Sequence, residues 1–79
     1  MSVRDEIIQF INGQNILSVP VTESTHLYQD LHMDSLAFVS LLMDLEERFD
    51  ITISLQEMET CLVVGELFLL VENKVREKL

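Results

Sequence analysis

The chain has 79 residues, 48% of them hydrophobic, with one proline, two glycines and one cysteine. That length holds one compact domain with a single small core, and the composition excludes general disorder and any internal disulfide. The formal net charge is -9, and from Thr22 to Leu62 nine acids face the single base Arg48, a field that repels nucleic-acid phosphates and anionic lipid and attracts basic protein surfaces.

The opening MSVRDEIIQF lacks the basic-then-apolar order of a secretory signal. A first helix is predicted over residues 3–12: Ser2 with Asp5 resembles a capping pair, Val3, Ile7, Ile8, Phe10 and Ile11 recur at helical spacing, and Gly13 offers a left-handed stop. Residues 13–34 have no sustained period and read as one long loop, pinned by Ile16, Leu17, Val19, Val21, Leu27, Tyr28 and Leu31. Loops of that length in compact domains are uncommon and often functional.

A second helix is predicted over residues 35–49. Phe38, Leu41, Leu42, Leu45 and Phe49 gather there into a stripe about 80° wide, enough to face a core. Leu36, Ser40, Met43 and Glu47 fall on the opposite side, which faces water. Two large apolar residues there, with Glu46, Glu47 and Asp50 beside them, read as a contact surface. Ser54, with Glu57 three residues later, caps a short third helix over residues 55–60. A last helix over residues 64–78 turns Leu67, Phe68, Leu70, Val71 and Val75 inward and sets Lys74, Arg76 and Lys78 near the negative end of its dipole. CLVVGELFLLV alone also fits a buried strand, but the continuation ENKVREKL favours helix. The apolar run 61–71, broken by Gly65 and Glu66, falls short of the roughly 20 residues that cross a bilayer. The expectation is a soluble, cytoplasmic, all-α monomer of four helices, with a long first loop and a short third helix.

Ser35 stands between an aspartate and a leucine at the head of the second helix. In the plainest reading either Asp34 or Ser35 caps that helix, since each side chain offers an oxygen to the orphan amides of the first turn. A hydrolase built from His26 or His32 with Asp34 and Ser35 lacks G-x-S-x-G and a chain large enough for a deep pocket. The spacing of the histidines and carboxylates matches no compact metal ligand set, and the D-x-D-x-D-G pattern of an EF-hand is missing. Cys61 reads as a buried structural thiol. A further reading is modification: a serine at a helix head, beyond a long loop, is open to another enzyme, and the helix dipole stabilises a phosphodiester on its oxygen.

The segment LYQDLHMDSLAFVSLLMDLEERFDITIS, residues 27–54, resembles the signature of acyl carrier proteins, in which a leucine, an Asp-Leu and the triplet Asp-Ser-Leu precede an amphipathic helix ending in an acidic-Phe segment. VVGELFLLV is similar to the start of that family's last helix. The resemblance implies a four-helix bundle, with 4'-phosphopantetheine transferred from coenzyme A to Ser35 by a phosphopantetheinyl transferase. Asp34 matches the neighbouring acid that assists the transferase's recognition. Partner enzymes with basic patches would dock on Leu36 and Met43 and on Glu46, Glu47 and Asp50, and an acyl chain that enters the core would lie beside Phe38, Leu42 and Leu67, at the cost of opening the bundle. The domain itself would do no catalysis.

The sequence departs from the family in three places. His32 stands where glycine is usual, so the turn before Ser35 needs another backbone solution or tolerates strain. Ala37 and Ser40 replace acids frequent in housekeeping fatty-acid carriers, so among the fatty-acid, polyketide and specialised lipid pathways that such carriers serve, a dedicated carrier for a polyketide, specialised lipid or amino acid fits better than the general fatty-acid one. Val63 replaces the threonine that commonly caps the last helix. Two rival functions share this sequence: a peptidyl or aminoacyl carrier with the same arm, although LHMDSL lacks the glycine pair usual there, and an unmodified acidic docking domain.

Overall fold

The computed structural model describes residues 2–14 and 20–78; Ile16, Leu17 and Val19, expected to pin the first loop, lie outside them. The described residues form helices α1 (Val3–Gln14), α2 (Ser35–Phe49), α3 (Leu55–Thr60) and α4 (Val64–Lys78). α1 packs against both α2 and α4, and Ile7, Ile11, Leu41, Leu42, Leu45, Leu67 and Val71 close a core without solvent exposure.

α1 and α3 begin as their first residues dictate, and one predicted helix end is the exception. The Ser2 hydroxyl accepts from the Asp5 N–H at 3.1 Å, opening α1. Ser54 and Glu57 complete a reciprocal capping box on α3, the Ser54 N–H donating to the Glu57 carboxylate at 2.9 Å. The exception is the predicted stop at Gly13. α1 runs on through Gln14, and no glycine among the described residues has a positive φ. Glycine permits a left-handed stop but does not compel one.

α4 lacks a side-chain cap, as the valine at 63 implies, and its amides are satisfied from another quarter. The Thr25 carbonyl accepts from the Val64 N–H and the Glu23 carbonyl from the Gly65 N–H, both at 2.9 Å. Alongside, the Leu27 N–H donates to the Leu62 carbonyl at 2.9 Å, so His26 and Val63 form an isolated antiparallel bridge. The first loop is thus stitched to the start of α4 by backbone bonds. The approach is so close that a β-carbon at Gly65 would stand 2.9 Å from the Glu23 carbonyl oxygen.

Thr25, the buried polar residue of this loop, accepts the Thr22 N–H on its hydroxyl at 2.9 Å. Arg4 reaches from α1 to Glu72 on α4 at 3.1 Å and to Glu23 of the loop at 2.5 Å, stacking over Phe68 at 5.2 Å.

Gly65→Ala therefore sets two effects against each other. Alanine favours a helix over glycine by about 1 kcal/mol, whereas forcing extra volume into a filled site costs about 1–3 kcal/mol. The overlap at Gly65 is with backbone, which yields little, so the variant is expected to unfold at lower denaturant concentration than the wild type with an unchanged slope.

Candidate functional site: the head of the second helix

Asp34 settles which of the two neighbouring oxygens caps α2. Its backbone is extended, at φ -89 and ψ 175, and its carboxylate accepts from the Ala37 N–H at 2.8 Å. Ser35 is then the first helical residue, exposed, with no hydrogen-bond partner for its hydroxyl among the described residues. The turn before it is held from inside. Leu31 and Met33 are buried, and the Met33 N–H donates to the Leu27 carbonyl at 3.2 Å. Between them His32 is exposed with φ 56, the left-handed region. A residue with a β-carbon gives up about 1–2 kcal/mol there, and histidine is among the side chains that enter it most readily.

α2 turns its predicted stripe inward and leaves Leu36 80% and Met43 58% exposed. With Val39, Ser40, Asp44 and Glu47 they line a shallow groove of about 370 Å³. The acids assigned to this face differ in their commitments. Glu47 has no bond or ion pair among the described residues, and neither has Asp44. The Glu46 carboxylate accepts from the Ile53 N–H at 2.9 Å, tying α2 to the strand of chain that leads into α3. Asp50 ends α2 in a left-handed conformation at φ 53 and ψ 54, returns its N–H to the Glu46 carbonyl, and meets Lys78 at 3.3 Å.

A second groove, of about 450 Å³, opens beside Ser35 between α2 and α3. Phe38, Val39, Leu55, Met58 and Leu62 give it an apolar lining, with Tyr28 and Glu59 at its polar edges. Tyr28 packs on Phe38 with ring centroids 5.3 Å apart. Phe38 borders this groove, whereas Leu42 and Leu67, the other two residues expected beside an acyl chain that enters the core, are fully enclosed. Sequence reasoning missed Leu55, Met58 and Glu59 as parts of this site. The one available signal was an apolar residue directly after the Ser54 cap.

The other reactive side chains have structural duties. The His26 ring Nδ1 accepts from the Tyr28 and Gln29 N–H groups at 3.2 and 3.1 Å, and the His26 N–H donates to Asp30 at 2.7 Å. That ring caps a turn. Cys61 is buried, its thiol directed to the Met58 carbonyl at 3.6 Å, and burial pushes its pKa up to about 11.

The helices thus set an exposed serine, without a hydrogen-bond partner for its hydroxyl among the described residues, at the edge of an apolar groove. In comparison with known proteins, the family described as "Phosphopantetheine attachment site" matches residues 13–70. An acyl carrier protein of Chlamydia felis is 33% identical over 78 residues, covering 98% of this chain and 100% of its own length. One from Sulfurovum sp. is 35% identical over 92% of this chain and 99% of its own. The acyl carrier protein MbtL of Mycobacterium tuberculosis is 36% identical over 81% of this chain and 76% of its own. The chain belongs to the acyl carrier protein family, whose prosthetic group is 4'-phosphopantetheine, and its role is that of an acyl carrier.

The division of labour between Asp34 and Ser35 is open to measurement. Asp34→Ala removes the cap and is expected to cost about 1 kcal/mol. Ser35→Ala, at an exposed position without a bond, should stay within about 0.5 kcal/mol of wild type. Paired denaturant melts read both.

Proposed function

We propose that Ser35 is the attachment residue and that the domain, without catalysis of its own, presents acyl groups to the enzymes of a dedicated polyketide or specialised lipid pathway. One observation carries this reading: Asp34 takes the capping duty, which leaves the Ser35 hydroxyl free at the edge of an apolar groove. In the transfer, the Ser35 oxygen attacks the phosphorus that bears the pantetheine of coenzyme A. The bond from that phosphorus to the adenosine-bisphosphate oxygen breaks, adenosine 3',5'-bisphosphate leaves, and the hydroxyl proton passes to a base of the transferase. The attached arm supplies a terminal thiol that holds an acyl group as a thioester.

The chain's own contribution is placement. Asp34 fixes the first turn, so the serine oxygen is held at the positive end of the α2 dipole, where a phosphodiester is favoured by about 0.3–1 kcal/mol. Leu36 and Met43 offer the apolar contacts to partner enzymes and Glu47 the free carboxylate, with Glu46 and Asp50 shaping the end of the face through the bonds they already make. Exposed ion pairs contribute about 0–1 kcal/mol each, so a partner's basic patch steers approach while the leucine and methionine anchor it. With Ala37 and Ser40 uncharged, the early part of α2 offers little to enzymes that read acids there, which supports a dedicated pathway over the general fatty-acid one.

Incubation with coenzyme A and a broad-specificity phosphopantetheinyl transferase is expected to add one phosphopantetheine to the intact mass, and Ser35→Ala to abolish the addition. An unchanged wild-type mass would instead support an unmodified docking domain. A thiol count gives an independent reading because Cys61 is buried and its pKa is near 11. The folded unmodified protein should show no thiol reactive at pH 8, the loaded protein one, and the loaded protein in denaturant two.

A further inference from the structure

The groove beside Ser35 has two walls, and only one belongs to the helix that carries the serine. Phe38 and Val39 form the α2 side; Leu55, the first residue of α3, rises on the other, 78% exposed. Leu55 contributes nothing to the core, and α3 as a whole has no buried residue. A large apolar side chain left in water at the edge of a functional groove has a cost, which a partner that covers it removes.

The two grooves meet at Val39, which lines both and is itself 38% exposed. Leu36, Val39, Met43 and Leu55 therefore border one continuous surface spanning α2 and α3, edged by Asp44, Glu47 and Glu59, none of which has a bond or ion pair among the described residues. No cationic side chain lines either groove.

From this arrangement, and resting on Ser35 as the attachment residue, we infer that Leu55 is a docking residue for the phosphopantetheinyl transferase, which grips the domain across both walls of the groove through a basic rim and an apolar socket for Leu55. Geometry selects this partner. The transferase must bring a phosphorus atom to bonding distance of the Ser35 oxygen, and Ser35 lines the same groove as Leu55, so its surface has to descend onto both walls, Val39 and Leu55 together. Enzymes that act on the far end of an attached arm have no such requirement and can stand off from α3.

The test uses the full chain, coenzyme A and a broad-specificity phosphopantetheinyl transferase in steady state. Leu55→Ser should raise the KM for the protein about tenfold, the equivalent of losing part of one leucine's burial. The kcat should change by less than about twofold, because a contact kept from docking to transition state affects KM alone. Leu55→Met should restore most of the affinity, and Leu69→Ser, which alters an exposed leucine on α4, should leave KM unchanged. Thermal melts by circular dichroism should show the Leu55 variants as stable as wild type, which excludes loss of α3 as the cause. A KM for Leu55→Ser equal to that of wild type overturns this inference and leaves Ser35 standing. Failure of wild-type protein to be modified at all overturns both.

Discussion

Three backbone hydrogen bonds between the first loop and the start of α4 hold the functional end of this molecule in place. The amides of Val64 and Gly65 belong to the first turn of a helix, where no intrahelical acceptor exists, and the carbonyls of Thr25 and Glu23 supply one for each. Each bond contributes about 1 kcal/mol net, and a buried amide left unpaired would cost about 1–3 kcal/mol. Those amounts are large for a domain of this size, where a single core supplies little more than about 3–5 kcal/mol. The third bond, from Leu27 to Leu62, carries the constraint onward. The Leu27 carbonyl accepts from Met33, Met33 precedes Asp34, and Asp34 closes the first turn of α2. A short run of bonds thus leads from the start of α4 to the residue beside Ser35.

Charge is distributed with a similar economy. Arg4, Arg48, Lys74 and Lys78 each pair with acids across elements: Arg4 with Glu23 and Glu72, Arg48 with Glu6, Lys74 with Glu57 and Lys78 with Asp50. Four of the five bases are thereby engaged in holding the fold together. Asp44, Glu47 and Glu59 make no ion pair among the described residues, so the rims of the two grooves carry negative charge with no cation lining either groove. Glu57 shows the structural use of an acid: its carboxylate, accepting the Ser54 N–H and facing Lys74, has a pKa below the ordinary glutamate range. The stability it lends α3 is present above that range and fades as the pH falls through the lowered value.

The helices were legible because their signals are local. Periodicity in residues 35–49 and 64–78, with the caps at Ser2 and Ser54, specified the elements the fold contains, and the outward aim of Leu36 and Met43 followed from the same spacing. Three things were not legible, and each depends on contacts between residues distant in sequence. The seam between the first loop and α4 is made of backbone groups, which have no residue code; Gly65 alone hinted at it. The second groove needs α3 folded across from α2 before Leu55 and Phe38 can border the same space. The commitment of Glu46 to the Ile53 amide looks, in sequence, like any other acid beside Glu47. The choice between Asp34 and Ser35 as the cap turned on a dihedral angle, and sequence offered both.

Native-state amide hydrogen exchange tests most directly whether that seam anchors the functional end. The amides of Leu27, Val64 and Gly65 should exchange slowly, with opening free energies near that of global unfolding, while those of α3, which has no buried residue, should open more readily. Exchange at Leu27 and Val64 as fast as in α3 would contradict the account, because the loop would then be released from α4 without unfolding and could not set the head of α2.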